Sequence, residues 1–559
     1  MRTLLKDAFV VNVFTDEVLR QDVLIDGSRI VGVGDYADME ATVDRVENLK
    51  GLYVCPGFID GHIHIESTEM LPANLARVAV VHGTTGIVCD PHEIANVCGL
   101  DGIDFMLQAS EGLPMDVYVM LPSCVPSSPF DESGAVLTAA DLRPYYGRPR
   151  VLGLAEMMNF PGVVAGDSDV LEKISDARAR GLVVNGHAPL LCGHDLDAYI
   201  CQGIWDDHEC SQYEEALERL RKGQTLMIRE GTAARNLRAL LPFFDGAFSD
   251  NCILVSDDRD AAMLIRDGHI DDIIRRATCV GKNPVVCIRM ASYQTALHFN
   301  LQNKGAVCPG YDADILVLDD LYSVHVRDVY KMGVPVVRNG ELIAFPDPVI
   351  EERLVAATRG SMHVDALAPQ DFAIEGSGLC NVVGVLPKQV LTEKRVLEVS
   401  GPDVARDIAK VAVIERHHNT GMRGLCYAQG LGLACGAIAS SVSHDSHNLI
   451  VAGMDDESMA TAANRLREIG GGFCVVRGTE VLAELPLPIA GLMSTCSVTE
   501  VAAQHAVLDE AIGQLGVTAE FAPFMALSFI SLPVIPSLKI TAQGLVDVDA
   551  WTRLPLFVE

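Results

Sequence analysis

Eight short apolar runs, each followed by a stretch of helix length, lie between residues 52 and 300 and constrain the fold more than any other feature of the chain. They are 52–60, 86–90, 117–123, 151–157, 182–187, 203–208, 225–230 and 252–257. Eight β/α repeats in this length predict a (β/α)8 TIM-like barrel, an α/β architecture. An open doubly wound sheet is the competing arrangement, but it would gather polar residues at a single crevice. Here nearly every run ends in His, Asp, Glu or Arg, as in a barrel that collects its chemistry at the C-terminal strand ends. Between the runs, residues 169–181 place Val170, Leu171, Ile174 and Ala177 on one stripe and stop at Gly181, which predicts an amphipathic helix.

The first run leads into Pro-Gly-Phe-Ile-Asp-Gly-His-Ile-His-Ile-Glu-Ser-Thr, residues 56–68. On an extended backbone, positions i and i+2 face the same side, so His62 and His64 can offer two imidazole nitrogens to one metal ion. Alone, the pair is equally compatible with hydrogen-bonded histidines. Glu156, His187, His208 and Asp257 stand at the ends of the fourth, fifth, sixth and eighth runs. Together these are four imidazoles and two carboxylates, more than one zinc requires, and they match two divalent ions sharing a carboxylate and a water. Glu156 is the expected bridge. Nitrogen and oxygen ligands without thiolate suit Zn, Mn or Fe(II). Asp257 is placed to accept a proton from the shared water and pass it to a leaving group. Asp258 is the neighbouring rival for that role, with a helix N-cap as its structural alternative.

The flanks are expected to form two further units. Asp26-Gly27 between two apolar stretches signals a hairpin. Similar β-rich sequence returns at 305–318 and 334–340, so 1–51 and 301–345 are expected to pair in a small β-sandwich around the barrel, 52–300. Pro346, Pro348 and the charged residues 351–353 mark a boundary, beyond which 346–559 reads as a C-terminal α+β domain. A formal net charge of -32 argues against nucleic acid and against a membrane surface. No apolar run approaches the ~18 residues of a spanning helix. The N-terminus lacks the pattern of an export signal, and the 16 cysteines include no Cys-x-x-Cys pair and lie mostly in apolar runs. Reduced, buried thiols and a cytoplasmic location are expected. Base rates add a homo-oligomer, such as a dimer.

Finer blocks resemble the adenine deaminases of the bacterial type, within the amidohydrolase superfamily. In the barrel they are Gly-His-Ile-His-Ile-Glu at 61–66, Asp-Pro-His-Glu-Ile-Ala-Asn at 90–96, Gly-Leu-Ala-Glu-Met-Met-Asn-Phe-Pro at 153–161, Gly-His-Ala-Pro at 186–189, Asp-His-Glu-Cys at 207–210, Met-Ile-Arg-Glu-Gly at 227–231 and Ser-Asp-Asp-Arg at 256–259. Beyond it, Glu-Arg-His at 415–417, Ser-His-Asp-Ser-His-Asn at 443–448 and Pro-Val-Ile-Pro at 533–536 resemble that family's C-terminal domain. The resemblance implies hydrolysis of adenine to hypoxanthine and ammonia in purine salvage. It implies a binuclear centre, with Mn or Fe(II) favoured over Zn, and Glu156 where many relatives carry a carboxylated lysine. Gly86, Cys89 and Asn419 depart from the expected pattern and leave modified aminopurines open as substrates.

Deamination also needs a proton donor to the ring, for which Glu93, Glu66 and Glu230 are the candidate acids. His92, Asn159, Arg229 and Asp258 are candidates for substrate contact, and His444, Asp445 and His447 for a lid over the barrel mouth. A cyclic amidase of the dihydroorotase or hydantoinase type is the alternative enzyme, and a catalytically silent scaffold the alternative outside enzymes.

Overall fold

Every one of the eight runs carries a strand in the computed structural model, which describes residues 1–232, 234–387, 389–518 and 521–558. The strands are Phe58–Ile63, Thr84–Cys89, Asp116–Leu121, Val151–Met157, Val183–Gly186, Asp206–Asp207, Thr225–Arg229 and Cys252–Val255. The first five pair in parallel in chain order, as do the last three. All residues of the first two are buried, as parallel strands covered on both faces must be.

Two junctions close the ring. Between the eighth strand and the first, the Asp257 N–H donates to the His62 carbonyl at 2.9 Å and the Ser256 N–H to Asp60 Oδ1 at 3.1 Å. Between the fifth and sixth, the Asp206 carboxylate accepts from Asn185 Nδ2 at 2.7 Å and from the Gly186 N–H at 2.6 Å, so a side chain replaces the ladder. Gly186 is required there, because a Cβ would lie 2.1 Å from the Asp206 carbonyl oxygen. The predicted helix spans Ser168–Arg178, with Asp167 accepting from the Asp169 and Val170 N–H groups at its start.

The run 52–60 divides, contrary to expectation. Tyr53–Pro56 pairs with Arg2–Asn12 and Ile315–Leu318, outside the barrel, and only from Phe58 does the chain join the barrel. Gly57 makes the step, its N–H donating to the Asp314 carbonyl at 3.0 Å and its missing Cβ leaving room for Thr85. Both β-rich flanks join one nine-stranded sheet, and Ile30 at its far strand exchanges hydrogen bonds with Tyr311 and Gly310 of the second flank. Its hairpins turn at Gly27 and at Asn339-Gly340, the latter pair both at positive φ, 50° and 78°.

Where this sheet meets the barrel, Lys304 lies 2.7 to 2.9 Å from Asp116, Asp312 and Asp314, and Lys331 lies 2.6 Å from Asp116 and Asp314. Removing Lys304 leaves three clustered carboxylates with only Lys331 and the half-exposed Arg29 to offset them. Lys304→Met is therefore expected to cost about 3–5 kcal/mol, measured as a lower denaturant midpoint with an unchanged m value.

An eight-stranded sheet, from Gly378–Val385 to Glu480–Pro486, dominates the C-terminal part, with the helix Asp456–Ile469 packed on one face. This part meets the barrel through Asn448 Nδ2 to the Glu132 carbonyl at 2.7 Å, the Ser494 N–H to the Glu69 carbonyl at 2.8 Å and Asn74 Nδ2 to the Cys496 carbonyl at 2.7 Å. All sixteen cysteines are unpaired; Cys192, Cys201 and Cys279 are exposed where burial was expected, because they sit at surface helix ends. Among the described residues no helix is long and apolar enough to cross a membrane.

Candidate metal centre and active site

Strand alternation sends His62 and His64 to the same side at the end of the first barrel strand, both buried. The His64 ring meets the Asp90 carbonyl through Nδ1 at 3.1 Å, which orients Nε2 toward Glu156 Oε1 and Asp257 Oδ1, each at 3.4 Å. His62 stacks on His208 with ring centroids 4.4 Å apart. Burial, then the adjacent His208 and His64, hold the His62 pKa well below the ordinary value, so its imidazole is neutral, as a metal ligand requires. Behind the pair, Asp60 accepts from Ser256 Oγ at 2.5 Å and lies 3.1 Å from His269 Nε2, bracing the strand end.

The Glu156 carboxylate lies between two sets of histidines. Its Oε2 is 2.7 Å from His187 Nδ1 and 3.0 Å from His208 Nε2, while Oε1 is 3.4 Å from His64 Nε2 and 3.5 Å from His92 Nδ1. Around Glu156, groups close enough to hold a cation are His62, His64 and Asp257; His62, Glu156 and His208; His187, His208 and Glu209; and His64, Asp90, His92 and Glu156, while Glu93, His444 and His447 form a separate such group. His62 Nε2 is buried without a hydrogen-bond partner, a costly state that coordination of a cation relieves, and the buried His92 Nδ1 and Asp90 Oδ2 face each other at 3.1 Å. The donor set therefore fits divalent metal.

Asp257 adopts a left-handed backbone, φ 56°, that an aspartate tolerates and that turns its carboxylate into the centre. Arg229 Nη1 reaches Asp257 Oδ2 at 2.5 Å and Glu209 Oε1 at 2.6 Å. Burial alone would raise the Asp257 pKa, but Arg229 together with His64, His208 and His62 outweighs it and holds the carboxyl well below the usual range.

Of the other expected residues, His92, Glu93, Arg229, Asp258, His444 and Asp445 line the same cavity. Glu93 Oε1 lies 3.0 Å from Ser67 Oγ and 3.3 Å from His444 Nδ1. Asp258 takes a hydrogen bond from Ser67 Oγ at 2.6 Å and is no N-cap, since Asp260 caps the following helix. His447 stands behind His444, with its Nδ1 accepting from the Ser443 N–H at 3.2 Å. Glu66 is also behind the wall, accepting from the Ile94 N–H at 3.1 Å; burial and the nearby Glu93 raise its pKa to about 8. Two residues belong elsewhere. Glu230 turns toward Arg276 and Arg235, at 3.7 and 3.9 Å, because alternation from the inward Arg229 sends it outward. Asn159 caps the short helix Phe160–Ala165 through Gly162 N–H, which consumes its side-chain oxygen.

Sequence reasoning missed Asp90 and Glu209 as possible ligands, although each neighbours a recognised position at a strand end. It also missed Val390, Phe529, Leu532, Val534 and Ile535, which roof the cavity from the C-terminal part.

A buried cluster of this kind at the mouth of a (β/α)8-type barrel defines a metal-dependent hydrolase of the amidohydrolase class, and residues 53–342 match the amidohydrolase family. Residues 388–552 match the adenine deaminase C-terminal domain. The chain is 44% identical to an adenine deaminase of Desulfatibacillum aliphaticivorans over 99% of this chain and 96% of that one. It is also 44% identical to adenine deaminase 2 of Carboxydothermus hydrogenoformans, with the same coverage, and 45% identical to an adenine deaminase of Methanoculleus marisnigri over 95% of this chain and 98% of that one. The chain belongs to the adenine deaminase family of amidohydrolases.

Proposed function

We propose that this protein hydrolyses adenine to hypoxanthine and ammonia. The observation that carries this reading is that similarity to named adenine deaminases runs through both the ligand-bearing barrel and the C-terminal roof, which meet at one cavity. His62, His64, Glu156, His187, His208 and Asp257 are assigned as the ligands of two divalent ions, Mn or Fe(II) by family with Zn as the alternative, and Glu156 as their shared carboxylate. Bound divalent ions supply Lewis acidity that brings the pKa of a water toward about 7.

The chain's own groups handle the protons. Adenine carries its amine on an amidine-like carbon, so water addition there needs a proton on the ring nitrogen and another on the departing amine. Asp257, oriented by Arg229, takes the proton from water and delivers it to the amine, which leaves as ammonia. Of the three acids considered for the ring, only Glu93 lines the cavity, and it acts through His444. Burial disfavours the His444 cation, but Glu93 outweighs it and raises its pKa to about 9. The Glu93–His444 pair thus keeps a proton beside the substrate.

A pH dependence follows from this pair. The raised pKa means that the proton is present below about pH 9 and is lost above it. Deamination is expected to fall as pH rises through that region, and His444→Gln should abolish that limb of the kcat/KM profile. An unaltered limb in the variant would assign it to another group.

The reading also assigns 1–57 with 301–345, 58–300 and 346–559 as the three structural units, the first boundary lying past the expected residue 51 because Tyr53–Pro56 belongs to the flanking sheet, and a cytoplasmic homo-oligomer in purine salvage, in keeping with sixteen unpaired thiols. Metal-loaded protein incubated separately with adenine, dihydroorotate and a hydantoin tests the activity. Hypoxanthine and ammonia from adenine support it; turnover of the ring amides alone overturns it in favour of a cyclic amidase.

A further inference from the structure

The cavity beside the candidate ligands has a volume of about 80 Å³, small against the ~300–1,000 Å³ of ordinary small-molecule sites. A second chamber of about 390 Å³ adjoins it, and Asp258, His444 and Phe529 line both. His444 and Phe529 form the partition, stacked with ring centroids 4.8 Å apart and planes 25° from parallel. On the far side the chamber is built from the helix Pro523–Ile530, the helix Ala261–Asp267 and the helix Val498–Gln514, around Phe473 and Phe524, whose centroids are 4.8 Å apart.

Its lining suits a flat heterocycle with a polar edge. Aromatic faces bind such rings by stacking. Near them the buried Glu69 pairs with His505, while Asp260 and Asp509 add carboxylates that accept from an exocyclic amine, and the imidazole of His505 offers a donor to a ring nitrogen. The partition is also tied to the chamber wall. The His444 N–H donates to the Ser528 carbonyl at 2.9 Å, and Ser528 Oγ donates to the Val442 carbonyl at 2.8 Å, so the helix carrying Phe524 and Phe529 moves with the segment carrying His444.

We propose that this chamber is a second binding station, where a planar aminopurine stacks before passing between His444 and Phe529 to the metal-side cavity. The proposal rests on the adenine deaminase reading and adds to it a waiting site and a partition. It assigns the roof built by the C-terminal part a role in capturing substrate as well as in excluding water.

Two variants test it away from the candidate ligands: Ala262→Trp, which fills the chamber from a helix surface, and Phe524→Ala, which removes a stacking wall. Turnover of adenine, equilibrium binding of adenine and metal content are measured on the full chain. Expected are a fall in kcat/KM of about tenfold in each variant, kcat held within about twofold, weaker adenine binding and unchanged metal content. Wild-type kcat/KM and adenine binding in both variants would overturn the waiting site while leaving the deaminase reading intact. A wild-type protein that binds adenine, loses that binding in both variants and yet releases no ammonia would overturn the deaminase reading while keeping the chamber as a purine site. Absence of adenine binding in the wild type, with no turnover, would overturn both.

Discussion

Glu156→Gln is expected to lower adenine deamination about a thousandfold and to reduce the divalent metal retained by the purified protein. The carboxylate is the one group facing both histidine sets, with one oxygen toward His187 and His208 and the other toward His64 and His92. Glutamine keeps the shape and removes the charge, so cations held by the two histidine sets would lose their common anionic partner. Loss of several kcal/mol of metal-derived stabilisation converts to about three orders of magnitude in rate. Parallel metal analysis and steady-state kinetics check this, and a variant with full metal and full activity would remove Glu156 from the centre.

The second large effect is at Asp257. Asp257→Asn should lower kcat by about 10² to 10⁴, the range for losing a general acid–base group, with a smaller change in KM. The side chain stays near Arg229 but can no longer take up and return a proton. Since Arg229 and the neighbouring histidines hold the Asp257 carboxyl well below the usual range, its own titration lies on the acidic side, and the wild-type rate near neutral pH should not depend on it. A change confined to KM, or no change, would give the proton transfer to another group. Asp258 is the nearest, and its hydrogen bond with Ser67 provides the comparison through Asp258→Asn.

The distribution of polar residues over the strand ends made the barrel and most of its centre legible in advance. His62 and His64 could be placed on one side by alternation alone, and the spacing of the later runs brought Glu156, His187, His208 and Asp257 to the same mouth. Alternation also explains an error, because recognising Arg229 as inward should have sent Glu230 outward. Asp90 and Glu209 were harder to foresee. They sit where strand geometry ends, Glu209 after a strand of only two residues, so a period of two no longer tells which way a side chain points. Asn159 shows the competing use of a polar residue at a strand end, a helix cap.

Gly57 marks a different limit. A continuous apolar run gives no sign that its first half belongs to one sheet and its second half to another, since both halves are buried. The roof was hidden as well. Phe529 lies in an apolar helix that reads as ordinary core, Val390 in a polar stretch and Ile535 in the 533–536 block, and only contacts across some hundreds of residues place them over the cavity.

In the proposed reading, side chains gathered from the barrel strand ends hold a pair of cations around Glu156 for deamination of adenine. Metal content per chain, measured alongside adenine turnover as the protein is stripped and reloaded with Mn, Fe(II) or Zn, tests it most directly. Activity that rises with occupancy to about two ions per chain is the predicted result. Full deamination by metal-free protein, or saturation of activity at a single ion, would contradict it.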